Sequence, residues 1–172
     1  DDFLDWVHET EPTRVPGLAI YPHPGRATTP LAMLNNLKFN HVLHEHNVII
    51  SMVVENVPHV RHVNRIEKVD LGKPTDGIVY IACHVGFADS QDVPKALALA
   101  ADKCPVLKEH LDDAIYYLSL VDVKRSESEQ GAKMTAWRKV LYVGLARNQA
   151  DRTRVFRIPR TRAVVMGEAV DL

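Results

Sequence analysis

Residues 18–37 read LAIYPHPGRATTPLAMLNNL, and this stretch decides the fold that we predict. Its first part, Leu18–Tyr21, is a short apolar run bounded by Gly17 and Pro22, which is typical of a β-strand. The segment 22–30 contains three prolines and a glycine and predicts a loop. A strand therefore leads into a loop.

The second half of the same stretch predicts a helix. Thr29 is a good N-cap residue, and Pro30 after it suits the first helical position. Leu31, Leu34 and Leu37 recur at helical spacing, so we expect a helix from residue 30 to about residue 41 with these leucines facing the core.

Outward from this unit, strands and helices alternate. Asp92 is expected to cap a helix over 93–103 that turns Val93, Leu97 and Ala100 inward and that Pro105 ends. Further strands are predicted over 47–54, 64–71, 78–85, 114–121 and 162–166, and further helices over 1–9 and 132–148, the last with Trp137 buried. The strands over 64–71 and 78–85 suit an antiparallel pair. This order predicts an α/β fold with a mixed sheet of about five to six strands flanked by helices.

Composition limits the class of protein. The 172 residues are 46% hydrophobic and 25% charged, which excludes a disordered chain. No apolar run approaches the roughly 20 residues that a membrane helix needs. The chain opens with Asp1 and has no signal segment, so we expect a piece of a longer polypeptide. Cys83 and Cys104 form no disulfide framework or metal motif and suit buried free thiols.

Charge is unevenly distributed along the chain. From Lys124 to Arg162 there are 11 Lys and Arg against 3 Asp and Glu, a balance of +8, whereas the remainder carries −9. Such a basic block could face anionic lipid, nucleic acid or a phosphate ligand, or it could be a solvated helix face and loop. Few aromatic residues accompany it and no nucleic-acid recognition signature surrounds it, so we expect no nucleic-acid partner.

Metal and catalytic motifs are weak. His41, His44 and His46 lie close together, but no pair has the His-Glu-x-x-His spacing, and histidines at a helix end complement its dipole. The sequence contains neither a Gly-x-Ser-x-Gly elbow nor a local signature of a catalytic cysteine. We therefore predict no metal site, no cofactor and no enzymatic activity.

The loop before the predicted helix is the best candidate for binding an anion. Neither phosphate-binding glycine motif occurs, yet Gly25, Arg26, Thr28 and Thr29 lie where a strand passes into a helix. A helix start offers free N–H groups and a favourable dipole, and Arg26 adds a cation. The alternative is a loop with only a structural role.

Several stretches of the sequence resemble one protein family. Pro30–Glu45, PLAMLNNLKFNHVLHE, is similar to that family's P-x-x-L-x-H-N-L-K-H-N-x-V-L-H-E, with Asn35 in place of the first His. The other matching segments are Arg14–Tyr21, Val85–Phe87, Asp92–Leu97, Trp137-Arg138, Arg147-Asn148, Phe156–Pro159 and Val164–Gly167. Over nearly its whole length the chain resembles the cytoplasmic C-terminal domain of Kup-type potassium transporters, the KUP/HAK/KT family.

The resemblance implies a function. The whole protein would take up potassium, together with protons, through a membrane part that this sequence lacks. Residues 1–12 would be a linker helix from the membrane part, and residues 13–172 a regulatory and dimer-forming domain at the cytoplasmic face of the cell membrane. Cyclic di-AMP restrains potassium uptake in many bacteria, which makes it the expected ligand. Arg147 and Asn148, which match the family's R-N pair, join the loop as candidate ligand-binding residues. A purely structural dimerisation domain without a ligand is the alternative.

Overall fold

The structure is a computed structural model that describes residues 2–71, 76–124 and 156–171. Helices are α1 (Asp2–Thr10), α2 (Leu31–Asn35) continued by a π-helical turn (Asn36–Asn40), α3 (Val93–Ala100) and α4 (Pro105–His110), with short 3-10 turns at His62–Asn64, Leu111–Asp113 and Arg160–Arg162. Strands are β1 (Thr13–Pro22), β2 (Val42–Glu55), β3 (Ile66–Asp70), β4 (Ile78–Gly86), β5 (Ile115–Lys124) and β6 (Ala163–Asp171).

The six strands form one mixed sheet in the order β3-β4-β2-β1-β5-β6. All neighbours are parallel except β3 and β4, which pair antiparallel from Ile66 opposite Cys83 to Asp70 opposite Val79. The predicted α/β class, the number of strands and the antiparallel pair are therefore confirmed. The predicted strands all appear within this sheet.

Side-chain alternation along the strands builds a core on each face of the sheet. In β1, Leu18 and Ile20 join a cluster that includes Leu97 of α3 and Leu107 of α4. Ala19 and Tyr21 point into the other cluster, which is covered by α1 and α2. Helices on both faces of a mostly parallel sheet give three layers. None of the helices among the described residues is long and apolar enough to cross a membrane.

At the centre of the sheet, β1 ends before its neighbours and shares only a narrow seam with β5. β1 ends at Pro22, opposite Ile50, whereas β2 continues to Glu55 and pairs outward with β4. On its other side β1 pairs with β5 through Ala19 opposite Ile115 and Ile20 opposite Tyr116, and β5 then continues to Lys124. The chain leaves β1 towards β2 on one side and returns to β5 on the other. This reversal of strand order is where α/β sheets bind ligands.

The helix after β1 differs from the prediction. Its N-cap is Pro30, and no side chain caps it, so the expected Thr29 cap is wrong. The buried residues are Ala32, Met33, Asn36 and Leu37, whereas Leu31 and Leu34 are half-buried. The five-residue α2 passes into a π-helical turn, whose wider winding shifts the buried face. Leu37 alone of the three predicted leucines lies fully in the core.

The helix after β4 matches the prediction at its start. The Asp92 carboxylate accepts a hydrogen bond from the Lys95 N–H at 3.0 Å, and Val93, Leu97 and Ala100 are buried. Pro105 follows this helical segment and is also the first residue of α4. The predicted helix over 132–148 and the burial of Trp137 lie outside the described residues.

Candidate functional site

A cavity of about 350 Å³ lies on the face of the sheet that α1 covers. The cavity is lined by the segment Gly25–Thr29, by Phe3 and Leu4 of α1, and by a floor of largely apolar side chains from the sheet. The floor residues are Ile49, Val69, Leu71, Ile78 and Tyr80. The structure thus brings four of the predicted site residues, Gly25, Arg26, Thr28 and Thr29, to one concave surface. Arg147 and Asn148 lie outside the described residues. We call this space the loop cavity.

The first residue of the loop anchors it to the sheet. The His23 N–H donates to the Ile50 carbonyl at 2.9 Å, and the Ser51 hydroxyl donates to the His23 carbonyl at 2.9 Å. The His23 Nε2 shares a hydrogen bond of 2.8 Å with the Thr28 hydroxyl, which closes the loop on itself. Burial lowers the pKa of His23, and hydrogen bonding to Thr28 partly offsets this. The imidazole of His23 therefore carries less positive charge near neutral pH than that of a solvent-exposed histidine.

Arg26 supplies the positive charge of the loop cavity. Its side chain is exposed, and no carboxylate of the described residues pairs with it. Gly25 beside it has an ordinary backbone, and a Cβ there would meet no atom within 4 Å. The glycine leaves open space next to an unpaired guanidinium. An anion of the solvent can therefore reach Arg26 without displacing an internal partner.

The start of α2 contributes less to the site than the sequence suggests. The Ala32 N–H donates to the Ser119 hydroxyl of β5 at 2.9 Å. The N–H groups of Met33 and Leu34 both donate to the Pro30 carbonyl, at 3.0 and 3.1 Å. These donors are occupied within the protein, so the candidate partners for an anion are Arg26, the Thr29 hydroxyl and, when His23 Nε2 carries the ring proton, the Thr28 hydroxyl.

A second cavity of about 300 Å³ lies on the opposite face of the sheet, where β1 ends. It is lined by Pro22, His23, Pro24, Ile50, Met52, Gln91 and Phe156. We call it the strand-end cavity. Sequence reasoning missed it because Pro22 and Phe156 are far apart in the chain and no spacing links them. The prolines on both sides of His23 were the one local feature that pointed to this cavity, since proline ends a strand and so stops β1 there.

Many residues of the family-like motifs have structural roles. The Asn40 side-chain amide donates to the side-chain oxygen Oδ1 of Asn36 at 2.8 Å within the π-helical turn, and His41 follows this turn in the left-handed conformation. His44 lies in β2 with its ring edge against Tyr117, and burial lowers its pKa. Among the described residues, no group of three or more His, Cys, Asp or Glu side chains could hold a metal ion.

A loop crosses the end of β4 and is fastened by Asp89. Its carboxylate pairs with His59 Nδ1 at 2.7 Å and accepts bonds from the Gly86 N–H at 2.9 Å and the Val60 N–H at 3.1 Å. The guanidinium of Arg65 completes the set. These interactions, with that of His59 the largest, hold the pKa of Asp89 well below its usual range. A Cβ on Gly86 would collide with the Pro58 carbonyl, so glycine is required there.

Comparisons with known proteins agree with this picture. A profile of the K+ potassium transporter C-terminal domain matches residues 16–172. Proteins named as probable potassium transport system protein Kup match in Cutibacterium acnes at 84% identity over 100% of this chain, and in Rhodococcus jostii at 34% over 99%. A protein of the same name in Thiobacillus denitrificans is 35% identical over 99% of the chain.

The chain spans 26% of the length of each of these relatives. Their names denote transport proteins rather than enzymes. No solved structure matches the chain. Because the profile covers residues 16–172 and the relatives align along almost all of the sequence, the chain belongs to the K+ potassium transporter C-terminal domain family.

Proposed function

We propose that this domain is the cytoplasmic regulatory part of a bacterial potassium uptake transporter and binds cyclic di-AMP as an inhibitory messenger. The transporter would couple potassium to protons, and residues 1–12 would connect the domain to the membrane part of the same chain. The names of the relatives support the transport assignment. The domain itself would carry neither catalysis nor ion conduction.

The unpaired Arg26 at the loop cavity carries the ligand part of this proposal. A phosphodiester needs a cation and hydrogen-bond donors on one surface. Arg26 provides the cation, and the hydroxyls of Thr28 and Thr29 provide donors, all on the wall of one cavity. A cavity of about 350 Å³ is within the range of small-molecule sites, which is roughly 300–1,000 Å³.

The free edge of the sheet supports a homodimer. Among the described residues, β6 pairs with β5 on one side and with no strand on the other. Val164 and Val165 on this strand are 38% and 55% exposed. An edge strand with few charges is a template for pairing with another chain. An antiparallel pair of two β6 strands centred on Gly167 would place Val164 opposite Val170 and no acidic position opposite another.

In a dimer that pairs two β6 strands, the two loop cavities lie far from the twofold axis, because their lining residues in β2, β3 and β4 are at the other end of the sheet. Each subunit would therefore bind its own cyclic di-AMP. The same β6 edge is equally compatible with the second candidate function, a dimerisation domain that supports the membrane part and binds no ligand. The structural roles of Asn36, Gly86 and Asp92 favour this alternative, because they account for much of the family motif without a ligand.

Calorimetry of the purified 172-residue chain with cyclic di-AMP separates the two functions. Saturable heat with one cyclic di-AMP per chain supports the regulatory function. A dimer by light scattering that gives no heat with cyclic di-AMP supports the purely structural one. If the chain is a monomer at about 100 μM with and without ligand, the dimer in both proposed functions is contradicted. A dimer with a Kd of about 100 μM has an association free energy of only about −5 kcal/mol, so even a weak dimer would be detected at this concentration.

A further inference from the structure

We propose that the strand-end cavity binds a purine base, with adenine preferred. This deepens the proposed function and rests on it for the natural ligand, since cyclic di-AMP contains two adenines. The loop cavity would hold the phosphate of the same nucleotide.

The position of the cavity favours a ligand. β1 stops at Pro22 while its neighbours β2 and β5 continue beyond it. Among the described residues, no strand pairs with these extensions on the side where β1 has ended. The cavity lies at this carboxyl end, beside the point where the strand order reverses, which is the usual ligand position in α/β sheets.

The walls of the cavity suit a flat aromatic ring. Ile50, Met52 and Phe156 contribute an aliphatic side chain, a thioether and an aromatic ring, and Pro22 and Pro24 complete the apolar surface. Aromatic side chains stack on nucleobases, and thioether sulfur makes favourable contacts with aromatic rings. The backbone of Phe156 is held, because its carbonyl accepts a hydrogen bond from the Val93 N–H at 3.1 Å, and its side chain packs against the core cluster of this face.

Gln91 supplies the polar recognition. Its side chain is half-buried, and among the described residues its amide makes no hydrogen bond. An amide offers a donor and an acceptor side by side, which matches the amino group and adjacent ring nitrogen of adenine. Guanine carries a carbonyl oxygen where adenine has its amino group, so the Gln91 amide would lose its donor–acceptor match there. The amino group of guanine lies at C2 instead, and burying it against the apolar walls without an acceptor costs free energy. The cavity therefore favours adenine over guanine.

The two cavities are adjacent along the chain. Pro24 lines the strand-end cavity and Gly25, the next residue, lines the loop cavity. His23 belongs to the strand-end cavity and hydrogen-bonds Thr28, which belongs to the loop cavity. A nucleotide could thus place its base on one side of the His23–Pro24 turn and its phosphate near Arg26 on the other.

Methyl NMR of the four methionines tests the base site without using a phosphate. The probe is adenosine, added to chain labelled at the methionine methyl groups. We expect a saturable shift of the Met52 methyl from the ring current of the base, and no shift of the Met33 methyl, which is fully buried in the other core. Guanosine should shift Met52 less at the same concentration.

Two variants separate the base site from the phosphate site. Gln91→Leu should weaken adenosine binding about tenfold, because one hydrogen-bonded pair is lost. Arg26→Ala should leave adenosine binding unchanged and weaken cyclic di-AMP binding. An unshifted Met52 methyl at about 10 mM adenosine, a concentration that detects even millimolar affinity, would overturn the proposal. Equal adenosine affinity of Gln91→Leu and the unmodified chain would also overturn it.

The outcomes for the natural ligand are distinguishable. Adenosine binding at Met52 without any cyclic di-AMP binding would keep the base site and reject the proposed messenger. Cyclic di-AMP binding that leaves Met52 unshifted and is unaffected by Gln91→Leu would keep the messenger and reject the base site.

Discussion

The guanidinium of Arg65 donates to the carboxylate of Asp89 across 2.9 Å and ties the beginning of β3 to the turn that follows β4. The same carboxylate receives two backbone N–H groups and His59, so four partners converge on one side chain. This makes Asp89 the fastening of the loop over the end of β4.

Asp89 should make the stability of the domain depend on acid pH. The pKa of its carboxyl is lower in the folded chain than in the unfolded chain, where it is about 3.9. The folded state is therefore favoured fully above that pH, and this stabilisation is lost as the pH falls through the folded value. Asp89→Asn should lower the urea midpoint at pH 7 and flatten its decline below about pH 4. Asp102→Asn, at an exposed site, is the control. It should change neither the urea midpoint at pH 7 nor the decline of the midpoint at acid pH.

Gly86→Ala should destabilise the domain by roughly 1–3 kcal/mol, because the new methyl group meets the Pro58 backbone and cannot be relieved by a rotamer. Gly25→Ala is a matched control, since its Cβ would meet open space. Thermal unfolding of both variants measures the difference. Equal melting temperatures for the two alanine variants would contradict the close crossing of residue 58 over β4.

Leu37→Ala should cost roughly 2–5 kcal/mol of unfolding free energy, because Leu37 is completely buried. Leu34→Ala removes the same atoms from a half-buried position and should cost clearly less. Urea unfolding of the two variants checks the order of the effects. The reverse order would show that the helix exposes the other face.

Arg26→Ala should weaken binding of cyclic di-AMP about tenfold or more, because a charge-assisted hydrogen bond is worth roughly 1.5–3 kcal/mol. The melting temperature should stay the same, since Arg26 has no ion-pair partner among the described residues. Calorimetry measures the affinity, and Arg61→Ala, at another exposed arginine, is the control. Similar affinities for both variants would remove the loop cavity from the proposed ligand site.

Val165→Lys should convert the proposed homodimer to a monomer, because a charged side chain on an edge strand opposes pairing with another strand. Val63→Lys places the same side chain at an exposed position away from β6 and should leave the dimer intact. Light scattering gives the mass of each variant, and circular dichroism confirms that both are folded. A dimer that persists in Val165→Lys would place the interface elsewhere.

Local signals predicted the elements that local chemistry determines. The apolar run Leu18–Tyr21 became the central strand, and Asp92 capped α3 as its position before Val93 and Pro94 suggested. The Gly25–Thr29 segment was expected at the end of a strand and lies on a cavity there.

Other features depend on tertiary contacts that no spacing reveals. The N-cap of α2 is Pro30 and not the predicted Thr29, and the Ala32 N–H donates a hydrogen bond to Ser119, which is 87 residues away in the sequence. The π-helical turn rotated the buried face from Leu34 to Met33 and Asn36. The strand-end cavity requires Phe156 to come beside Met52, and only the completed sheet brings them together.

The narrow seam between β1 and β5 has a consequence for the order in which the domain folds. Ala19 and Ile115, which form part of that seam, are separated by 96 residues. In contrast, β1 pairs with β2 from Thr13 to Pro22, and the segment that connects these two strands is much shorter. Closing the longer loop costs more chain entropy and brings fewer backbone bonds. We therefore expect the half-sheet of β1, β2, β3 and β4 to form one cooperative unit, and β5 with β6 to dock onto it later and to open from it first. A nucleotide seated where β1 ends would touch the boundary between these two units.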